Sequence, residues 1–147
     1  MDPSTVASFI MEQSQRSVTA ILDGAPYATR ILSGEKTIIA DEPVDHGGTD
    51  QGFRPHELLL SALASCTAIT LRMYADRKGW AVSFIKVRVD MEREQEGAKV
   101  DTRMVIVVDL PVDLPPEQRQ RLLQIAKACP VHRTLEHPIH LTEELGT

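Results

Sequence analysis

The sequence predicts an α+β fold built on antiparallel sheet. Three observations predict it. Two β-branched runs near the start are joined at Ser33-Gly34, the mark of a meander. A long apolar segment from Pro55 to Lys78 reads as a helix, and alternating residues from Ser83 to Leu110 read as a hairpin. The elements come in the order meander, helix, hairpin, helix, short strand, which is not the βαβ alternation of a parallel sheet.

Residues 1–16 are weakly patterned. A short helix after Ser4 is expected, with Val6, Phe9 and Ile10 on one side. The segment stands apart as a flexible or swapped N-terminal piece. Val18 to Leu22 is the first strand, and Asp23-Gly24-Ala25-Pro26 is a turn. Tyr27 to Leu32 and Lys36 to Ala40 follow as strands. Asp41 to Phe53, with Gly47, Gly48 and Gly52, is expected to be a flexible connection, since it lacks the spacing of a phosphate-binding loop.

Pro55 suits a first helical turn, where a missing N–H is harmless. Glu57 complements the positive helix start, and Arg77 and Lys78 precede Gly79 at its end. The first half of this helix is apolar nearly all round, so it should be covered by protein on most sides. Ile85, Val87, Val89 and Met91 then alternate with charges, a turn falls at Gln95-Glu96-Gly97, and Met104, Ile106, Val108 and Leu110 alternate in return. Pro115-Pro116 starts another helix with Leu122, Leu123, Ile125 and Ala126 as its apolar face, closed at Cys129-Pro130. Val131 to Leu135 reads as a helical turn, Ile139 to Leu141 as a last strand, and the tail is acidic.

Composition narrows the function. The 147 residues suit a single domain spanning 1–147, and 42% hydrophobic with 25% charged residues is globular composition. A net charge of −5 argues against a nucleic-acid partner, because phosphate binding calls for a basic excess. No apolar run approaches the ~20 residues of a membrane span, and the N-terminus lacks a signal peptide's pattern, so a cytoplasmic protein with no membrane partner is expected. Two cysteines are too few for a disulfide scaffold. In a reducing compartment such a pair is redox-active, metal-binding or simply buried.

Cys66 lies in the middle of the apolar helix, where a cysteine by base rate packs as a small hydrophobe. It receives no help there from a helix N-terminus, so a reactive Cys66 needs its charge stabilised from elsewhere. Cys129 sits at a helix end, before Pro130. His132 follows at metal-ligand spacing, but His46, His56, His137 and His140 supply no matching half-site for zinc. A Cys129–His132 hydrolase pair is weakened by their nearness in sequence.

The stretch from Gly47-Gly48-Thr49-Asp50 through Arg54-Pro55-His56-Glu57-Leu58-Leu59-Leu60-Ser61-Ala62-Leu63-Ala64-Ser65-Cys66-Thr67 resembles the signature of the OsmC/Ohr family. Arg72-Met73-Tyr74-Ala75-Asp76-Arg77-Lys78-Gly79-Trp80 and Cys129-Pro130-Val131-His132-Arg133-Thr134-Leu135 resemble one branch of it. That branch is the OsmC-like domain sometimes fused behind an α/β-hydrolase, here standing alone. The resemblance covers residues 18–142. It implies antiparallel sheets wrapped around long central helices in an intertwined homodimer. It also implies a thiol-dependent, peroxiredoxin-like hydroperoxide reductase of the oxidative stress response. Cys66 would attack an organic hydroperoxide, and Cys129 would resolve the sulfenic acid to a disulfide. An external dithiol would then reduce that disulfide, with no cofactor.

Two departures accompany the resemblance. Typical members set an Arg and a Glu beside the reactive thiolate. The Glu position holds His56 here, with Glu57 one residue later, and the first β-turn carries no Arg. Arg30, Arg54 or Arg133 stand as replacements, and His56 as a base or cation. These departures keep a second reading open, a non-catalytic OsmC-like domain that binds a small apolar ligand or a protein partner.

Overall fold

The computed structural model describes residues 16–24 and 26–146. The expected helix after Ser4 and all but Arg16 of the expected swapped segment lie outside them. The chain divides into two compact units, one ending at Pro55 and the other beginning at His56.

The first unit is the predicted meander. Strands β1 (Thr19–Ile21), β2 (Thr29–Ser33) and β3 (Lys36–Ala40) pair antiparallel in sequence order, with Ala20 opposite Ile31 and Ile31 opposite Ile38. Gly34 takes a φ of 59° at the β2–β3 turn, a left-handed value that its missing Cβ permits. The connection after β3 is not the flexible segment the sequence suggests. Asp41 is 2% exposed and anchors it. Its carboxylate accepts from the Thr49 hydroxyl at 2.7 Å, the Gln51 amide at 3.1 Å and the Glu42 amide at 2.8 Å. These partners, the Thr49 hydroxyl foremost, hold the Asp41 carboxyl below the usual carboxylate range. A single 3₁₀ turn, Val44–His46, ends at Gly47, and a Cβ on Gly48 would collide with the Glu42 carbonyl. The glycines therefore serve close backbone packing rather than freedom.

Helix α1 (Pro55–Lys78) matches the predicted span, all but its first residue belongs to the second unit, and Gly79 closes it at φ 69°. Within a single chain its coverage is partial. Leu63, Thr67, Leu71 and Ala75 are buried along one face, but Ile69 is 55% and Met73 60% exposed on the other. One chain covers only one side of this helix.

By length and composition α1 is also able to cross a bilayer, with a mean hydropathy of 1.5 over its most apolar window. This corrects the expectation that no run is long and apolar enough, and hydroxyls punctuate the segment. Those hydroxyls bond back to the helix's own carbonyls, Ser61 to Glu57 at 2.7 Å and Thr67 to Leu63 at 2.8 Å, which masks their polarity. The buried face packs into a protein core, where Leu71 and Ala75 meet Val82, Leu110, Leu114, Leu122 and Ala126.

Strands β4 (Lys86–Glu96) and β5 (Lys99–Asp109) form the predicted hairpin, but both are longer than the alternation suggests. Their tips are charged on both faces, so the hydrophobic pattern stops while the backbone pairing continues to Glu96 opposite Lys99. Gly97, at φ 59°, then turns the chain in two residues.

Helix α2 (Pro116–Ile125) begins after Pro115 and runs into a 3₁₀ turn, Ala126–Ala128. Leu122 is fully buried, whereas Leu123 is 51% exposed and is not part of the apolar face assigned from sequence. Helix α3 (Pro130–Glu136) extends the predicted turn. The expected strand at Ile139–Leu141 is irregular chain, with Leu141 81% exposed and no strand partner among the described residues. The α+β class with antiparallel sheet holds.

Candidate active site

Cys66 and Cys129 are brought together inside the second unit. Cys66 comes from the middle of α1. Cys129 comes from the break between α2 and α3, and local chemistry places that break. A residue before proline is pushed out of the α region, and Cys129 has ψ 126°. Pro130 then starts α3 in the first turn, where an N–H has no intrahelical partner to lose. The amides of Val131 and His132 are left facing back toward the Cys129 side chain, although it makes no capping bond of conventional geometry.

The two thiols are free and are neighbours in space, near enough for each to shift the other's titration. Cys129 is 0% exposed, while Cys66 is only partly buried. Burial pushes the Cys66 thiol up, and the neighbouring Cys129 thiol pushes it further, against smaller help from the Val131 amide and the Thr70 hydroxyl. Burial also opposes a charge on Cys129. There it is outweighed by the neighbouring Cys66 and Thr67 side chains and by the amides of His132 and Val131, so Cys129 lies below the ordinary thiol value.

A cavity of about 450 Å³ opens in the same unit. Leu59, Leu63, Met91, Met104, Ile106 and Leu135 give it apolar walls, and His56, Arg93, Thr102, His132 and Glu136 give it polar ones. Its lining includes Leu63, one helical turn before Cys66, and His132, three residues after Cys129, but neither cysteine. The His132 Nδ1 lies 3.3 Å from a Glu136 carboxylate oxygen, yet the angles make no hydrogen bond and this atom is otherwise unpartnered.

The proposed supporting residues separate. His56 reaches the cavity. Glu57 lies nine residues before Cys66, about 14 Å along the helix axis. Arg30 pairs with Asp23 at 3.0 Å, and Arg54 with Glu42 at 3.2 Å, both within the first unit. Arg133 is an exposed residue of α3. Sequence reasoning missed Thr67 and Thr70, whose only signal is a hydroxyl one and four positions after Cys66 on an apolar helix. Among the described residues, no cluster of three or more His, Cys, Asp or Glu side chains is suited to a metal ion.

A sequence model described as OsmC-like protein matches residues 48–144. No curated protein matches the chain. Solved structures share its fold. An OsmC-like protein from Mycoplasma pneumoniae superposes with a TM-score of 0.67 at 22% identity, covering 84% of this chain and 88% of its own. The organic hydroperoxide resistance protein OhrB of Bacillus subtilis gives 0.60 at 21% identity, covering 83% and 90%. An organic hydroperoxide resistance protein OsmC from Legionella pneumophila gives 0.64 at 14% identity, covering 82% and 88%.

Proposed function

The chain belongs to the OsmC-like protein family, and from that premise we propose that it is a thiol-dependent organic hydroperoxide reductase. The observation that carries this reading is the neighbouring pair of free thiols, Cys66 and Cys129. A sulfenic acid is safe from over-oxidation only if a second thiol lies close enough to condense with it. The family resemblance assigns the attack to Cys66, and its partial exposure fits, since peroxide must reach the attacking sulfur. The buried Cys129 resolves it. The hydroperoxide loses its O–O bond and leaves as an alcohol, the second oxygen leaves as water, and the thiol pair becomes a disulfide. An external dithiol returns the pair to its reduced form.

The cavity walls favour a substrate with an alkyl group, worth about 0.8 kcal/mol for each CH₂ removed from water. The protein acts in the cytoplasm, where dithiol reductants are held. It works as a homodimer. Leu59, Ala62, Cys66, Ile69 and Met73 recur at spacings of three and four along the uncovered side of α1, and a second copy is the occupant that also encloses Cys66.

The test is peroxide consumption driven by a dithiol. Turnover above that of Cys66→Ser supports the reading, and equal rates reject it. The apolar cavity also favours a second reading, a domain that binds a small apolar ligand without turning it over. Equal rates together with saturable ligand binding would select that one.

A further inference from the structure

Met91 on β4 and Met104 on β5 stand directly opposite each other in the hairpin, and both line the cavity of the second unit. Residues paired in this way carry their Cβ atoms about 4.5–5.5 Å apart on one face of the sheet, so the two thioethers share one patch of wall. Both side chains are half-buried, packed against protein yet open to the cavity.

The rows on either side of this pair differ. On one side Ile106, opposite Val89, continues the apolar wall. On the other, Arg93 opposite Thr102 ends it with a charge and a hydroxyl. An alkyl hydroperoxide is apolar along its chain and polar at its O–O–H end. Laid on this face with its chain on Ile106, it brings its oxygens to the boundary where the methionine row stands. Leucine would fill these two positions as well, since Leu and Met exchange at little cost in packing. What methionine adds is a sulfur that a peroxide can oxidise.

We propose that Met91 and Met104 are an oxidation site for alkyl hydroperoxides held in this cavity, and that their conversion to sulfoxide shuts the cavity to further apolar ligand. The step balances. A thioether lone pair attacks the terminal peroxide oxygen, and the S–O bond forms as the O–O bond breaks. The sulfur gives up two electrons to the peroxide. The hydroxyl proton passes to the departing alkoxide, which leaves as the alcohol. The sulfoxide is polar where the thioether was apolar, so an alkyl chain loses the wall it packs on. The inference does not rest on the reductase reading, because the oxygen goes to a thioether and neither cysteine takes part.

The experiment treats full-length Cys66→Ser with octyl hydroperoxide or with hydrogen peroxide, which has no chain for the cavity to hold. Free methionine is the internal standard, and peptide mass spectrometry reads each methionine of the chain. Relative to the standard, Met91 and Met104 should be oxidised about tenfold faster by the octyl compound than by hydrogen peroxide, the gain that roughly two buried CH₂ groups supply. Excess 1-octanol should remove that gain. Met73, which is 60% exposed on α1 and does not line this cavity, should show none. Octanol binding, followed by calorimetry, should be lost after octyl hydroperoxide treatment of Cys66→Ser and kept when Met91→Leu and Met104→Leu are added to it. Equal ratios for the two oxidants, an equal gain at Met73, or oxidised protein that still binds octanol would overturn the proposal. Because Cys66 is absent, the predicted pattern stands whether or not the native dithiol turns over peroxide.

Discussion

Cys66 and Cys129 stand as neighbouring free thiols although 63 positions of sequence separate them. Only tertiary packing creates that contact, and it prepares the pair for a disulfide. In Cys129→Ser, one equivalent of organic hydroperoxide should leave a sulfenic acid on Cys66 that a sulfenic-acid reagent traps. Excess peroxide should add a second oxygen at Cys66, and dithiol-driven turnover should fall to background. Mass spectrometry of the Cys66 peptide checks both products.

The Asp41 carboxylate is a second buried centre, and its stabilising role depends on pH. Its folded pKa is depressed, so its contribution is complete above the ordinary carboxylate value near 3.8 and is lost as pH falls through the lower folded value. Urea unfolding should show the native protein losing stability on acidification. Asp41→Asn should be less stable at neutral pH and show a shallower loss in acid.

Leu122 and Leu123 looked equivalent in sequence and are not. Leu122 is 0% and Leu123 51% exposed. Leu122→Ala should lower unfolding free energy by about 2–5 kcal/mol, since it leaves a cavity against Leu71 and Ala75. Leu123→Ala should stay within about 0.5 kcal/mol of the native protein. Denaturant melts of the two variants make the comparison.

The uncovered side of α1 predicts self-association. Ile69→Glu places a carboxylate at the centre of the stripe shared with Met73, twice over in a dimer. Sedimentation should shift from dimer to monomer. A native protein that sediments as a monomer throughout would remove the dimer from the account.

These contrasts mark what the sequence made legible. Helix α1 was readable to the residue, because Pro55 and Gly79 carry conformational restrictions that act locally. The hairpin was readable in its apolar half and not in its charged tip, where pairing continues without burial on either face. Asp41 was invisible as an anchor, since its partners at Thr49 and Gln51 depend on the path of the loop. At the site, the two cysteines stood out through their motifs. Thr67 did not, because a threonine on an apolar helix looks like any residue that satisfies its hydroxyl on the preceding turn.

The central claim is a dithiol that peroxide converts to a disulfide. One measurement addresses it most directly, the titration of free thiols in the reduced protein against a stoichiometric organic hydroperoxide, followed by mass spectrometry without reductant. One equivalent should consume both thiols and yield a Cys66–Cys129 disulfide within one chain. A folded protein whose Cys66 stays reduced in excess hydroperoxide would contradict it.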